Sequence, residues 1–182
     1  MKTHWSQDGY LRAWLFAAHA HRGQALSGMD LPYTTHIGSV AMEVIAALTI
    51  ETIPTPDLAV QCALLHDVLE DTAVTYDQLQ TEFGAAVAAG VLALSKDPNL
   101  PTSRQMADSL ARIQRQPSAV WVVKLADRIS NLQSPPAHWS PAKIRGYREE
   151  ALKIHQALHL ASPLLADRLA TKIEAYRAFC PE

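Results

Sequence analysis

Charged side chains set inside apolar runs constrain this chain more than anything else in it. The segments A-L-L-H66-D67-V-L-E70-D71-T and V-K-L-A-D127-R-I-S-N131-L read as core-facing helices, yet each carries a carboxylate within its apolar stretch. An unpaired carboxylate on a buried helical stripe costs several kcal/mol, so the fold must bring compensation to Asp67 and Asp127. His66 adjoins the first of them, and a further histidine, His36, closes the segment P-Y-T-T-H. Two imidazoles and two carboxylates on three separate helical segments form a donor set for a hard-to-borderline divalent cation. One shared ion would compensate both carboxylates at once.

The rest of the chain reads as helix after helix. Leu11, Trp14, Leu15 and Ala18 recur at helical spacing and predict a helix over 7–24. Residues 25–35, with Gly28, Pro32 and Tyr33, read as a loop, and a helix from about 36 to 49 ends before Pro54 and Pro56. Asp57 is the expected cap of the next helix, which is expected to run unbroken to about residue 70. Thr75 and Gln78 have the spacing of a capping box for a short helix ending at Gly84. A helix of small residues follows over 85–93, then a loop, S-K-D-P-N-L-P, and helices at about 102–115 and 118–133. Pro135-Pro136 stops the second of these, and Ser140-Pro141 and Ser162-Pro163 each start another by the N-cap/N1 rule. V-W-V-V at 120–123 has strand-like composition, but its continuation is helical in period. The expectation is an all-α bundle of about eight or nine helices. It is a single domain over 1–182 with its core at about 7–160, as suits a chain of 182 residues.

Composition narrows the function classes. A net charge of −2 argues against an obligate nucleic-acid or anionic-membrane partner, both of which leave a basic footprint. It leaves room for a locally positive cleft that takes a phosphorylated small molecule, with Arg12, Arg22, Lys96, Lys124, Arg128, Lys143 and Arg145 as sources of charge. Cys62 and Cys180 lack metal-type spacing, and Cys62 lies in an apolar helix as a buried thiol. The segment M-K-T-H-W-S-Q-D-G-Y has no apolar signal core, and no run approaches the ~20 residues of a membrane span. A cytoplasmic location is the expectation.

Several longer pieces carry a resemblance. They are A-H-R-G-Q (20–24), P-Y-T-T-H (32–36), L-L-H-D-V-L-E-D-T (64–72), F-G (83–84) and K-L-A-D-R-I-S-N-L (124–132), with W139-S140 and Tyr147 further on. Together they resemble the HD superfamily of metal-dependent phosphohydrolases, and within it the RelA/SpoT-type hydrolase domain and the stand-alone Mesh-type small alarmone hydrolases. The resemblance implies an HD-domain helical bundle holding one ion on His36, His66, Asp67 and Asp127, with coordination positions left open for water and a phosphate oxygen. Mn²⁺ is the expected cofactor, with Fe²⁺ or Zn²⁺ as alternatives. It also implies that Glu70 and Asp71 orient or deprotonate the attacking water and protonate the leaving oxygen. Asn131, Tyr147, Lys96 and Arg22 are its candidate substrate contacts, and His21 supports the following loop.

Plainer readings stand beside these. E-D-T also fits an acidic turn at a helix end, and Asp127 a surface partner for Arg128 or Lys124. Asn131 also fits a helix-end cap, and Tyr147 a core aromatic. His19, His138, His155 and His159 read as surface or helix-face histidines.

The implied reaction is hydrolysis of guanosine 3′,5′-bis(diphosphate) at its 3′-pyrophosphate, giving GDP and pyrophosphate. The alternatives are a phosphatase acting on another phosphorylated ribose, such as the 2′-phosphate of NADPH or a nucleoside monophosphate, and a non-catalytic nucleotide sensor. One loop departs from the family. Where relatives read G-Q-x-R-x-x-G-x-P-Y, this chain reads G-Q-A25-L26-S27-G28-M29-D30-L31-P-Y, with leucine at the arginine position and one extra residue. A guanidinium stacks on a purine face and offers planar donors, whereas leucine offers apolar contact alone. Weak discrimination between guanine and adenine is therefore expected.

Overall fold

The computed structural model describes residues 4–180, so the expected domain over 1–182 extends past the described residues at 1–3 and 181–182. Ten α-helical segments follow one another: α1 (Gln7–Ala20), α2 (Thr34–Ile50), α3 (Pro56–Leu65), α4 (Val68–Asp71), α5 (Tyr76–Phe83), α6 (Ala85–Leu94), α7 (Thr102–Ile113), α8 (Ser118–Asn131), α9 (Pro141–Leu158) and α10 (Pro163–Ala175). With the single turn α4 counted as the displaced end of α3, the α-helices number nine among the described residues. Among the described residues there is no strand, only an isolated antiparallel bridge between Ala25 and Pro32. The V-W-V-V segment is helical, inside α8.

The helix starts follow local chemistry. Thr75 and Gln78 form the reciprocal capping box, and the Ser140 and Ser162 hydroxyls accept the N–H groups of Lys143 and Leu165 ahead of prolines at the first helical positions. Other boundaries differ from the sequence reading. α1 ends at Ala20 rather than 24, because Gly23 turns the chain at φ 81°. Asp57 does not cap α3. Thr55 is the N-cap at φ 49°, Pro56 occupies the first turn, and the Asp57 carboxylate instead accepts the Ser6 N–H at 2.6 Å, tying the start of α1 to α3.

The largest departure falls at His66-Asp67, where the expected continuous helix breaks. Asp67 sits at φ −102°, ψ −3°, in the sparsely populated bridge region, and its carbonyl accepts both Glu70 N–H (3.2 Å) and Asp71 N–H (2.9 Å) to start a new turn. The break frees two adjacent side chains from the 100° separation a regular helix imposes.

α3 is buried nearly all round, from Ala59 and Val60 through Cys62, Ala63, Leu64 and Leu65, and packs against α1, α2, α6 and α8. α8 runs beside it and buries Val122, Val123, Leu125, Ala126 and Ile129 together with the charged Lys124, Asp127 and Arg128. Each fully buried leucine or isoleucine contributes about 1.5–3 kcal/mol, so this pair of helices anchors the bundle. α6 comes in close because Gly90 lacks a side chain: a Cβ there would lie 2.8 Å from Cys62 Sγ and 3.1 Å from Val120 Cγ2. Cys62 is a free, fully buried thiol whose pKa burial pushes up to about 12, so it acts as a small core residue. Among the described residues no helix is long and apolar enough to cross a membrane.

Candidate active site

Three elements converge on one point. The first turns of α2 deliver His36, the break between α3 and α4 delivers His66 and Asp67, and the middle of α8 delivers Asp127. The two Nε2 atoms of His36 and His66 face each other at 3.2 Å. Asp67 Oδ2 lies 2.9 Å from His66 Nε2 and 3.5 Å from His36 Nε2. Asp127 Oδ1 lies 3.5 Å from His36 Nε2 and 3.8 Å from His66 Nε2. Donors at about 2.0–2.2 Å from a common ion stand about 2.8–3.6 Å apart at neighbouring positions; the spacings from 2.9 to 3.5 Å match this, and the 3.8 Å from Asp127 to His66 is longer. Ligand atoms of His36, His66 and Asp67 all lie within 4.8 Å of one another, and Asp127 Oδ1 closes on both imidazoles.

Groups behind the donors fix their orientation. His66 Nδ1 is 2.9 Å from the Ala63 carbonyl and donates to it, which leaves the Nε2 lone pair for an ion. Asp127 Oδ2 accepts from Lys124 Nζ at 2.9 Å, and Oδ1 accepts from Asn131 Nδ2 at 2.5 Å. The ion pair with Lys124, set beside the metal role as a plainer alternative, is present together with the approach to the imidazoles, one oxygen serving each. Asn131, expected as a donor to substrate, spends one N–H on Asp127 and still lines the cavity beside it.

Tyr33 was missed as a site residue. Its hydroxyl donates to Asp67 Oδ2 at 2.6 Å and lies 3.3 Å from Asp71 Oδ2, while its ring stacks on His21 at 4.8 Å between centroids. The signal was its place in P-Y-T-T-H, one turn before His36. His21 has the supporting role expected of it: Nδ1 pairs with Gln24 Oε1 at 2.7 Å, and Gln24 donates to the Asp71 carbonyl at 2.7 Å.

Glu70 and Asp71 flank the donor cluster without joining it. The Glu70 carboxylate accepts the Lys96 backbone N–H at 2.8 Å and pairs with Lys96 Nζ at 3.0 Å. Lys96 therefore reaches the site through Glu70. Partial desolvation and the nearby charges of Asp67 and Glu70 raise the Asp71 pKa from its ordinary value, against the Tyr33 hydrogen bond. Arg22 is exposed on the turn after α1 and is not among the cavity-lining residues.

From His36 and Asn131 a cavity of about 560 Å³ extends past Tyr147 and Trp139 to the loop at 26–31 and to Arg168 and Lys172 on α10. Tyr147 closes one wall, with the Arg128 guanidinium 4.1 Å above its ring and Trp139 edge-on at 5.1 Å. A second cavity of about 550 Å³, between α1 and α5, is lined by Phe16, His19, Asp77 and Glu82 among others and includes none of these donors.

The electrostatics respond to pH in a defined direction. Burial opposes charge on His36, but Asp127 and Asp67 outweigh it and raise its pKa to about 9. The carboxylates likewise raise His66 against burial, the imidazoles hold Asp67 well below the usual carboxylate range, and Lys124 together with the imidazoles does the same for Asp127. An imidazole must be neutral to ligate, so an ion held on His36 would displace a proton from it below about pH 9. Between about pH 6 and pH 8, apparent affinity for a divalent cation is expected to rise roughly tenfold per pH unit for each proton displaced. Calorimetric titration in buffers of different ionisation enthalpy counts those protons; loading without proton release would remove His36 from the ligand set.

Comparison with known proteins gives a consistent picture. The family model described as "HD domain" matches residues 13–166. The mouse protein named "Guanosine-3′,5′-bis(diphosphate) 3′-pyrophosphohydrolase MESH1" is 32% identical over 164 residues, covering 87% of this chain and 89% of its own length. A Haemophilus influenzae protein named "Guanosine-3′,5′-bis(diphosphate) 3′-pyrophosphohydrolase" is 36% identical over 151 residues, or 78% of this chain, which spans 20% of that longer protein. A solved structure described as "A metazoan ortholog of SpoT hydrolyzes ppGpp and plays a role in starvation responses" superposes with a TM-score of 0.82, covering 97% of this chain and 99% of that one. At 22% identity that likeness establishes the fold.

Proposed function

Because the chain belongs to the HD domain family, we propose that it hydrolyses guanosine 3′,5′-bis(diphosphate) at the 3′-pyrophosphate, giving GDP and pyrophosphate. The observation that carries this reading is the convergence of His36, His66, Asp67 and Asp127 on one point, with Glu70 and Asp71 beside it and a nucleotide-sized cavity opening from it. Its relatives of similar length are named for this reaction.

The four donors would hold a divalent ion, with Mn²⁺ proposed because mixed nitrogen and carboxylate ligation suits Mn²⁺, Fe²⁺ or Zn²⁺ better than Mg²⁺. Such an ion supplies Lewis acidity, lowering the pKa of water and offsetting charge that develops on a phosphoryl group. The chain's own residues do the rest. Glu70, held by Lys96, orients the attacking water and takes its proton. Water adds to the phosphorus next to O3′, the P–O3′ bond breaks, and Asp71 gives a proton to O3′. A raised pKa at Asp71 favours the protonated form that this step needs. Tyr33 holds Asp67 and Asp71 in register through one hydroxyl. Asn131 and Tyr147 line the path of the ribose, and Arg22 is left outside this role.

A second reading keeps the chemistry and changes the substrate. The cavity wall at Leu26, Met29 and Leu31 is apolar where relatives place a guanine-stacking cation. That favours a site tolerant of other bases, including a nucleotide with a 2′-phosphate.

The test is a panel incubated with Mn²⁺: guanosine and adenosine nucleotides carrying a 3′-pyrophosphate, NADPH, and nucleoside monophosphates, with phosphate and pyrophosphate release measured separately. Pyrophosphate from the guanosine compound is expected, with kcat/KM for the adenosine form differing little from it, well inside the roughly thirtyfold that a stacked cation can supply. Phosphate from NADPH alone would replace the first reading with the second, and no release from any compound would leave a nucleotide sensor.

A further inference from the structure

The far end of the cavity is built by α10. Arg168 and Lys172 stand one turn apart on that helix and both line the cavity wall. They are not equivalent. Arg168 makes a two-pronged ion pair with Glu43 of α2, Nε to Oε2 and Nη2 to Oε1, each at 2.6 Å. Glu43 is 5% exposed, so without that guanidinium it would present a bare carboxylate to the cavity. With the pair formed, the two charges cancel. Lys172 is half-buried and has no acidic partner among the described residues, so it leaves this end of the cavity net positive.

The position matches a phosphate group. Glu43 follows His36 by seven residues on α2, two helical turns, which places the α10 end roughly 10 Å along the helix from the donor cluster. That is the reach across one ribose from a 3′ phosphorus to a 5′ diphosphate. The lining between the two ends includes the apolar Leu26, Met29, Leu31 and Met42, the last three about half exposed, alongside the uncharged polar Thr35, Ser39 and Ser130. A base lies well on such a wall, and a phosphate does not.

We propose that Lys172 binds the 5′-phosphate chain of the nucleotide, with Arg168 neutralising Glu43 so that an anion is accepted there. This rests on the nucleotide reading given above and adds to it a second phosphate subsite, supplied by α10. It locates recognition in the 5′ phosphates rather than in the base, as a loop lacking its cation requires.

The experiment uses binding rather than turnover, so the two readings fail separately. The full chain with Mn²⁺ is titrated with GDP and with guanosine, before and after Lys172→Ala. The unmodified chain is expected to bind GDP more tightly than guanosine, and Lys172→Ala to weaken GDP about tenfold while narrowing the ratio between the two ligands. Lys172→Arg, which keeps the charge, is expected to retain the ratio. An unchanged ratio in Lys172→Ala, equal losses for both ligands, or no GDP preference in the unmodified chain would each overturn the proposal. A chain that binds GDP through Lys172 but releases no pyrophosphate in the panel would contradict the hydrolase reading and leave this one standing.

Discussion

Asp67→Ala is expected to abolish both stoichiometric metal binding and turnover. Asp67 Oδ2 is the donor nearest to an imidazole, 2.9 Å from His66 Nε2, and it also receives the Tyr33 hydroxyl at 2.6 Å. Its removal takes away a proposed ligand and the acceptor of the Tyr33 hydroxyl. Substitutions one shell further out already cost about 10–100-fold in metal affinity, so loss of a charged ligand should exceed that range. Metal content after gel filtration is the direct readout, with Asp67→Asn as the control that keeps shape and removes charge. An Asp67→Ala protein that still carries one ion per chain would show that His36, His66 and Asp127 suffice, and the assignment of Asp67 would fall.

The parts of this site that were legible in the sequence are those written locally. His66 and Asp67 are adjacent, Asp127 lies within one apolar helix, and serine-proline pairs mark the starts of α9 and α10. What the sequence hid depends on backbone placement or on distant partners. Helical periodicity runs straight through residue 70, whereas the chain breaks at Asp67, a backbone change that residue spacing does not encode. Asn131 is a local case: it stands one turn after Asp127 on the same helix, so its amide bond to that carboxylate follows from i, i+4 spacing and leaves its second N–H for the cavity. Lys96 looked like a second substrate contact because Glu70, its partner, is 26 residues away. The pair between Glu43 and Arg168 spans 125 residues, and no local pattern announces that the last helix closes the cavity. Tyr33 is the exception, since its place one turn before His36 was available to be used.

Glu70→Gln separates holding the ion from using it, and here the expected outcome is full metal content with turnover reduced about 10²–10⁴-fold. The geometry makes this substitution clean. Glu70 lies outside the donor cluster, so nothing in the ion's immediate surroundings changes. Its carboxylate is held by two donors from one residue, the Lys96 backbone N–H at 2.8 Å and Nζ at 3.0 Å. Glutamine keeps an oxygen that can accept one of these bonds, so the side chain should stay near its place. It loses the ability to take a proton from water. The loss should therefore fall on kcat, with KM little changed, because Glu70 is not needed to bind the nucleotide. Lys96→Ala provides the graded comparison: the backbone N–H still holds one carboxylate oxygen, so the residue is loosened but remains a base, and a smaller loss than in Glu70→Gln is expected. If Glu70→Gln turned over at the normal rate, the base would have to be sought elsewhere, and the Glu70–Lys96 pair would be reduced to a tether between α4 and the loop after α6.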